Sequence, residues 1–66
     1  MPSDEPVEEA QIIAAAFEER VKELFRSLAE SIYTGEAERA TADRFRRGLQ
    51  SARKARALAL AAAKES

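Results

Sequence analysis

RATADRFRRGLQSARKARALALAAAK, residues Arg39 to Lys64, decides how this chain folds. Placed on a helix with Phe45 at heptad position a, its a and d positions are Thr41, Phe45, Gly48, Ala52, Ala55, Ala59 and Ala62. The spacing alternates between four and three residues, which marks one continuous helix face. Almost every residue of this seam is small, so bulky side chains of another helix can interdigitate with it. The b positions Arg39, Arg46 and Arg53, with Arg47 and Lys54 at c, form a cationic stripe on a different face. One helix thus carries a packing seam and a charged outer side.

Moving outward toward the N-terminus, residues 33–36 read YTGE. Gly35 can take the left-handed conformation that ends a helix, and Thr34 before it is short and polar. A connection this short makes the flanking helices antiparallel neighbours. Ala37, Glu38, Arg39 and Ala40 are strong helix formers, so the second helix is expected from about residue 36 to 64. Two alternatives stay open at this level. Thr41 could cap a shorter second helix, or a single helix could run through Gly35, since one glycine costs only about 1 kcal/mol.

Residues 7–33 read as the first helix. Ala10, Ala14, Phe17, Val21, Leu24 and Leu28 follow the same alternating spacing, and Ile13, Phe25 and Ile32 widen the stripe. Charged residues mostly occupy the other faces. Pro6 suits a first helical position, where its missing N–H is harmless. Glu8 and Glu9 favour the positive end of the helix dipole. Residues 1–5 and the last residues, Lys64, Glu65 and Ser66, are expected to fray. Both helices would be about 28 residues, roughly 42 Å long. Folding about Thr34 and Gly35 brings Phe25 near Phe45 and Phe17 near Ala52, and sets Glu19 and Glu23 level with Arg47 to Arg53.

The chain has 66 residues, which is one domain at most. Below about 70–80 residues a single core rarely supplies more than about 3–5 kcal/mol. Without cysteine there is no disulfide staple, and without histidine no usual zinc site. Oligomerisation is the remaining common remedy. Fold and composition together predict an all-α antiparallel two-helix hairpin that assembles into a homodimeric four-helix bundle. Phe17, Val21, Leu24, Phe25, Leu28, Phe45 and Leu49 would hold hairpin and bundle. Gly48, Ala52, Ala55 and Ala59 would allow close approach, and leucine at position 55 would disrupt the association. Leu60 points away from the seam and asks for a second contact surface.

Several function classes are excluded or weakened. A Ser-His-Asp set is impossible without histidine, and two glycines cannot build a phosphate loop. Glu19 and Glu23 are one turn apart, as are Glu5 and Glu9, but on a charged helix such acids are ordinarily solvated or salt-bridged. The expectation is therefore no enzyme, no cofactor and no metal. No run of about 18 apolar residues exists to span a membrane, and no basic n-region precedes an apolar h-region at the start. A cytoplasmic protein is the default reading. The face of ALALAAA is too alanine-rich to insert well into a membrane surface.

The net charge of −1 hides an asymmetry: residues 1–35 hold eight acids against three bases, and residues 36–66 hold four against eight. The stripe of Arg39, Arg46, Arg47, Arg53 and Lys54 would contact an anionic partner, protein before nucleic acid. No aromatic residue interleaves it, as single-strand binding would favour. The leading expectation is a small non-enzymatic interaction protein (adaptor, assembly factor, chaperone-like subunit or regulator) acting through self-association and helix-face contacts. The alternative is a nucleic-acid-binding hairpin dimer using the stripe.

Overall fold

The computed structural model describes residues 6–65, with side chains from residue 8 onward. The frayed start expected at residues 1–5, and Ser66, lie outside the described residues. The chain is all-α, as the spacing predicts. Helix α1 spans Pro6–Tyr33 and helix α2 spans Glu38–Glu65, each with 28 residues, and the two pack against each other as a hairpin.

Gly35 ends α1. Its φ of 90° is a left-handed value that a side chain would strain. The Gly35 amide donates to the Ile32 carbonyl at 3.1 Å, and the Glu36 amide reaches back to the Ser31 carbonyl at 3.0 Å. The Thr34 amide donates to Glu30 at 3.0 Å, and the Thr34 hydroxyl donates to the Ser31 carbonyl at 3.1 Å. The carbonyls of Glu30, Ser31 and Ile32 are thus satisfied by the turn itself.

The turn leaves Glu36 and Ala37 outside both helices, so α2 starts two residues later than the propensity of the following residues suggests. The Ala37 carbonyl accepts the first bond of α2, from the Thr41 amide at 3.1 Å, and the helix opens at Glu38. Thr41 is not the cap; it lies inside the first turns. The connection covers residues 34–37 rather than 34–35. A carboxylate oxygen of Glu36 instead accepts from Arg44 Nη2 at 2.7 Å, which fixes the turn to the second turn of α2.

Half-buried residues trace the contact line. On α1 they are Ala10, Ile13, Phe17, Val21, Leu24, Leu28 and Ser31. On α2 the line follows Thr41, Phe45, Gly48, Ala52, Ala59 and Ala63. Gly48 lies against Leu24, and Arg56 lies over Phe17. Phe25 and Phe45 line one groove, and Phe17 and Ala52 line another.

The heptad seam does not hold to its end. Ala55 and Ala62 are exposed, and Ala63 takes an inward place instead. An unsupercoiled helix drifts about 20° per heptad against a seven-residue repeat. By Ala63, eighteen residues beyond Phe45, the contact line has moved one residue past the d position Ala62.

The Cα trace extends 50 × 21 × 8 Å, with a radius of gyration of 15.5 Å. A compact domain of this length would have a radius of about 11 Å. Two helices have only one contact line between them, so each keeps most of its apolar stripe in the open. Among the described residues no hydrophobic side chain is buried.

Candidate interaction surface

Two long faces flank the contact line. The first contains a groove lined by Phe17, Glu18, Val21, Lys22, Phe25, Arg26 and Phe45. Phe25 remains 60% exposed there, although phenylalanine is a typical core residue. Helical spacing extends this face along the hairpin. Ile32 follows Phe25 by seven residues, Leu49 follows Phe45 by four, and Leu60 follows Leu49 by eleven. Ile32 and Leu60 are 43% and 37% exposed.

The opposite face is smaller in its side chains and more polar. Its central groove is lined by Ile13, Ala16, Phe17, Arg20, Ala52, Ala55, Arg56 and Ala59. Toward the turn, Ser27, Ser31 and Arg44 join Leu24, Leu28, Thr41 and Phe45 around a cavity of about 30 Å³. Ile12 and Ala62 mark the open end.

The predicted interface residues therefore divide. Phe17, Leu24, Leu28, Gly48, Ala52 and Ala59 lie along the contact line within the hairpin. Val21 and Phe45 sit on that line and also border the first face; Phe25 and Leu49 belong to the first face, and Ala55 to the second. The seam on α2 serves α1 of the same chain, while the bulky flanks are left open.

The basic stripe lies on the outer side of α2. Arg46 donates to Asp43 at 2.6 Å within one turn. Arg39, Arg47, Arg53 and Lys54 have no ion pair among the described residues, and all four are exposed. Helical spacing separates the stripe into Arg39, Arg46 and Arg53 on the side of Leu49, and Arg47 and Lys54 on the other.

Glu19 and Glu23 do not reach α2, although they come level with its cations. Both sit on the outer side of α1, where a base three residues away is nearer. Lys22 donates to Glu19 at 3.4 Å and Arg20 to Glu23 at 3.0 Å. These exposed pairs contribute little to stability. Glu5 of the other acid pair lies outside the described residues. Among the described residues no group of three or more potential metal ligands forms. No helix there is long and apolar enough to cross a membrane.

Sequence reasoning missed Arg56. Its guanidinium stacks on Phe17, 4.1 Å from the ring centroid. The signal was present: Arg56 is four residues after Ala52 and three before Ala59, the inward place once helix drift is allowed. The chain matches no protein-family model, no curated protein and no solved structure.

Proposed function

We propose that this chain is a small non-enzymatic interaction protein that completes its core by pairing with a second copy, as a homodimeric four-helix bundle. Its helix faces do the work, as an adaptor, assembly factor or regulatory subunit would use them. The carrying observation is the lack of any buried hydrophobic side chain among the described residues. Burial of this kind is what the lone hairpin lacks and what folding requires.

Light-scattering mass against protein concentration, with far-UV circular dichroism on the same samples, tests the proposal. A helical dimer that persists on dilution is expected. A poorly helical monomer at every concentration would mean that the missing half of the core belongs to another protein.

A second reading has its own observation. Arg39, Arg47, Arg53 and Lys54 carry no counter-charge within the described chain, and arginine suits phosphate through its fork of donors. A nucleic-acid-binding hairpin dimer would show binding to generic RNA or DNA that falls steeply with salt. Absence of binding at low salt removes this reading and leaves the anionic partner to be a protein.

A further inference from the structure

Building on the self-association proposed above, we infer how the second copy is seated. It covers the face of Phe25 and Phe45, with the two-fold axis running along the helices. Each α1 then lies on the partner's α2, and Glu18 of one chain pairs with Arg53 of the partner subunit.

The choice of face follows from side-chain size. Phe25, Ile32 and Leu60 are all substantially exposed, and they share one side with Phe45 and Leu49. The opposite side leaves Ile12 and Leu58 exposed toward its open end, but its grooves are lined mostly by alanines, serines, Arg20, Arg44 and Arg56 beside Ile13. A symmetric dimer applies the same patch twice, so the bulkier and less polar patch removes more apolar surface from water. The hairpin is a single layer of helices, and a second layer on this side turns a one-sided stripe into a core.

Two symmetric stackings of antiparallel hairpins are available. With the axis across the helices, α1 lies on the partner's α1 and α2 on the partner's α2. With the axis along the helices, α1 lies on the partner's α2. Helix α1 carries six acids and three bases, whereas α2 carries three acids and eight bases. On this face α1 presents Glu18 beside Lys22 and Arg26, and α2 carries Arg39, Arg46 and Arg53, so the first stacking sets those arginines against one another and the second brings Glu18 among them. Complementary potentials select partners and fix register.

An axis along the helices also removes any freedom to slide. Rotation about it leaves every residue at its own height, so the cross-chain register copies the intrachain one. Within the chain Leu24 faces Gly48, and Phe17 faces Arg56. Glu18 is therefore level with the segment around residues 54–55 of the partner subunit. Glu18 lines the Phe25 groove, and Arg53 follows Leu49 by four residues on the same flank of α2. Neither has an ion partner among the described residues. Phe25 comes level with Leu49 of the partner subunit, and the two would pack beside the ion pair.

Charge reversal read by sedimentation equilibrium tests the seating. Glu18→Arg and Arg53→Glu should each raise the dimer dissociation constant by on the order of tenfold or more, because each leaves like charges facing in the interface. The chain carrying both reversals should regain wild-type association. Unchanged association in the single variants, or no recovery in the double, overturns the proposed seating while the wild-type dimer stands. A wild-type chain that stays monomeric overturns the self-association reading beneath it.

Disulfide trapping gives an independent readout, because the chain has no cysteine of its own. A mixture of E18C and R53C chains should oxidise to the mixed dimer, while E18C alone should not link to itself. Efficient self-linking of E18C would place α1 on the partner's α1 and overturn the proposal.

Discussion

Gly48 lies so close to Leu24 that a Cβ at position 48 would stand 2.5 Å from Leu24 Cδ2. No other point along the hairpin explains as directly why the seam of α2 is small. The branch of Leu24 occupies the space that a side chain at 48 would need.

Substitution at this position is predicted to split by size. Gly48→Ala gains about 1 kcal/mol of helix propensity and displaces only the mobile end of Leu24, at about 0.5–1.5 kcal/mol. Its midpoint in thermal unfolding, followed by circular dichroism at fixed protein concentration, should stay near wild type. Gly48→Leu should lose about 1–3 kcal/mol through overpacking. An unchanged midpoint for the leucine variant would mean that the helices do not approach at Gly48 in solution.

Ala55 gives the contrast. Read as a heptad seam, position 55 cannot accept leucine. In the structure Ala55 is exposed, beside Ile13 and Ala16, on the side away from Phe25. Leucine there has room to lie over those side chains. Ala55→Leu is expected to change stability by less than about 0.5 kcal/mol, as surface substitutions usually do, and to leave the molecular mass alone. Loss of the dimer in this variant would move the interface to the Ala55 face.

How much could be read from the sequence follows from these residues. Both helices were legible because their apolar stripes repeat at the helix period over several turns, and Gly35 punctuates them. The start of α2 was not. The turn that closes α1 extends through the bond from the Glu36 amide to the Ser31 carbonyl, a local geometry that propensity does not register. The outer half of the seam was misplaced for a different reason. Heptad letters presuppose supercoiled helices, and without supercoiling the contact line shifts from Ala55 and Ala62 toward Arg56 and Ala63. The cationic stripe was fully visible as composition. Which of its members are paired was not, because Asp43 and Glu36 choose among the neighbouring arginines by side-chain reach.

Gly35 supports a third stability prediction. Its φ of 90° is open to glycine, and no atom lies within 4 Å of a Cβ placed there. The penalty for alanine is then purely conformational, about 1–2 kcal/mol. Gly35→Asn should lose less, since asparagine tolerates the left-handed region better. Equal stability of the glycine and alanine proteins would indicate that the turn does not use this conformation.

The stacking of Arg56 on Phe17 can be measured as a coupling. A double-mutant cycle with Arg56→Ala and Phe17→Leu should return about 0.5–1 kcal/mol, the usual range for a partly exposed cation over a ring. A coupling near zero would show that the guanidinium leaves the ring in solution.

Thr41 supplies the sharpest test of the interior. It is 2% exposed, the single buried side chain among the described residues. Its hydroxyl has no hydrogen-bond partner there. It lies beside the cavity of about 30 Å³ that Leu24, Ser27, Leu28 and Arg44 also line. A buried hydroxyl without a partner costs about 1–3 kcal/mol, so its removal at constant shape should help. Valine keeps the branching and nearly the volume of threonine, and both are similarly stiff in a helix. Thr41→Val is therefore expected to raise the unfolding free energy by about 1 kcal/mol. Thr41→Ser keeps the hydroxyl and loses the methyl, so it should fall below wild type by about 1 kcal/mol. If valine instead lowers stability as much as serine does, the hydroxyl is hydrogen-bonded in solution, and the neighbouring cavity is where its partner sits.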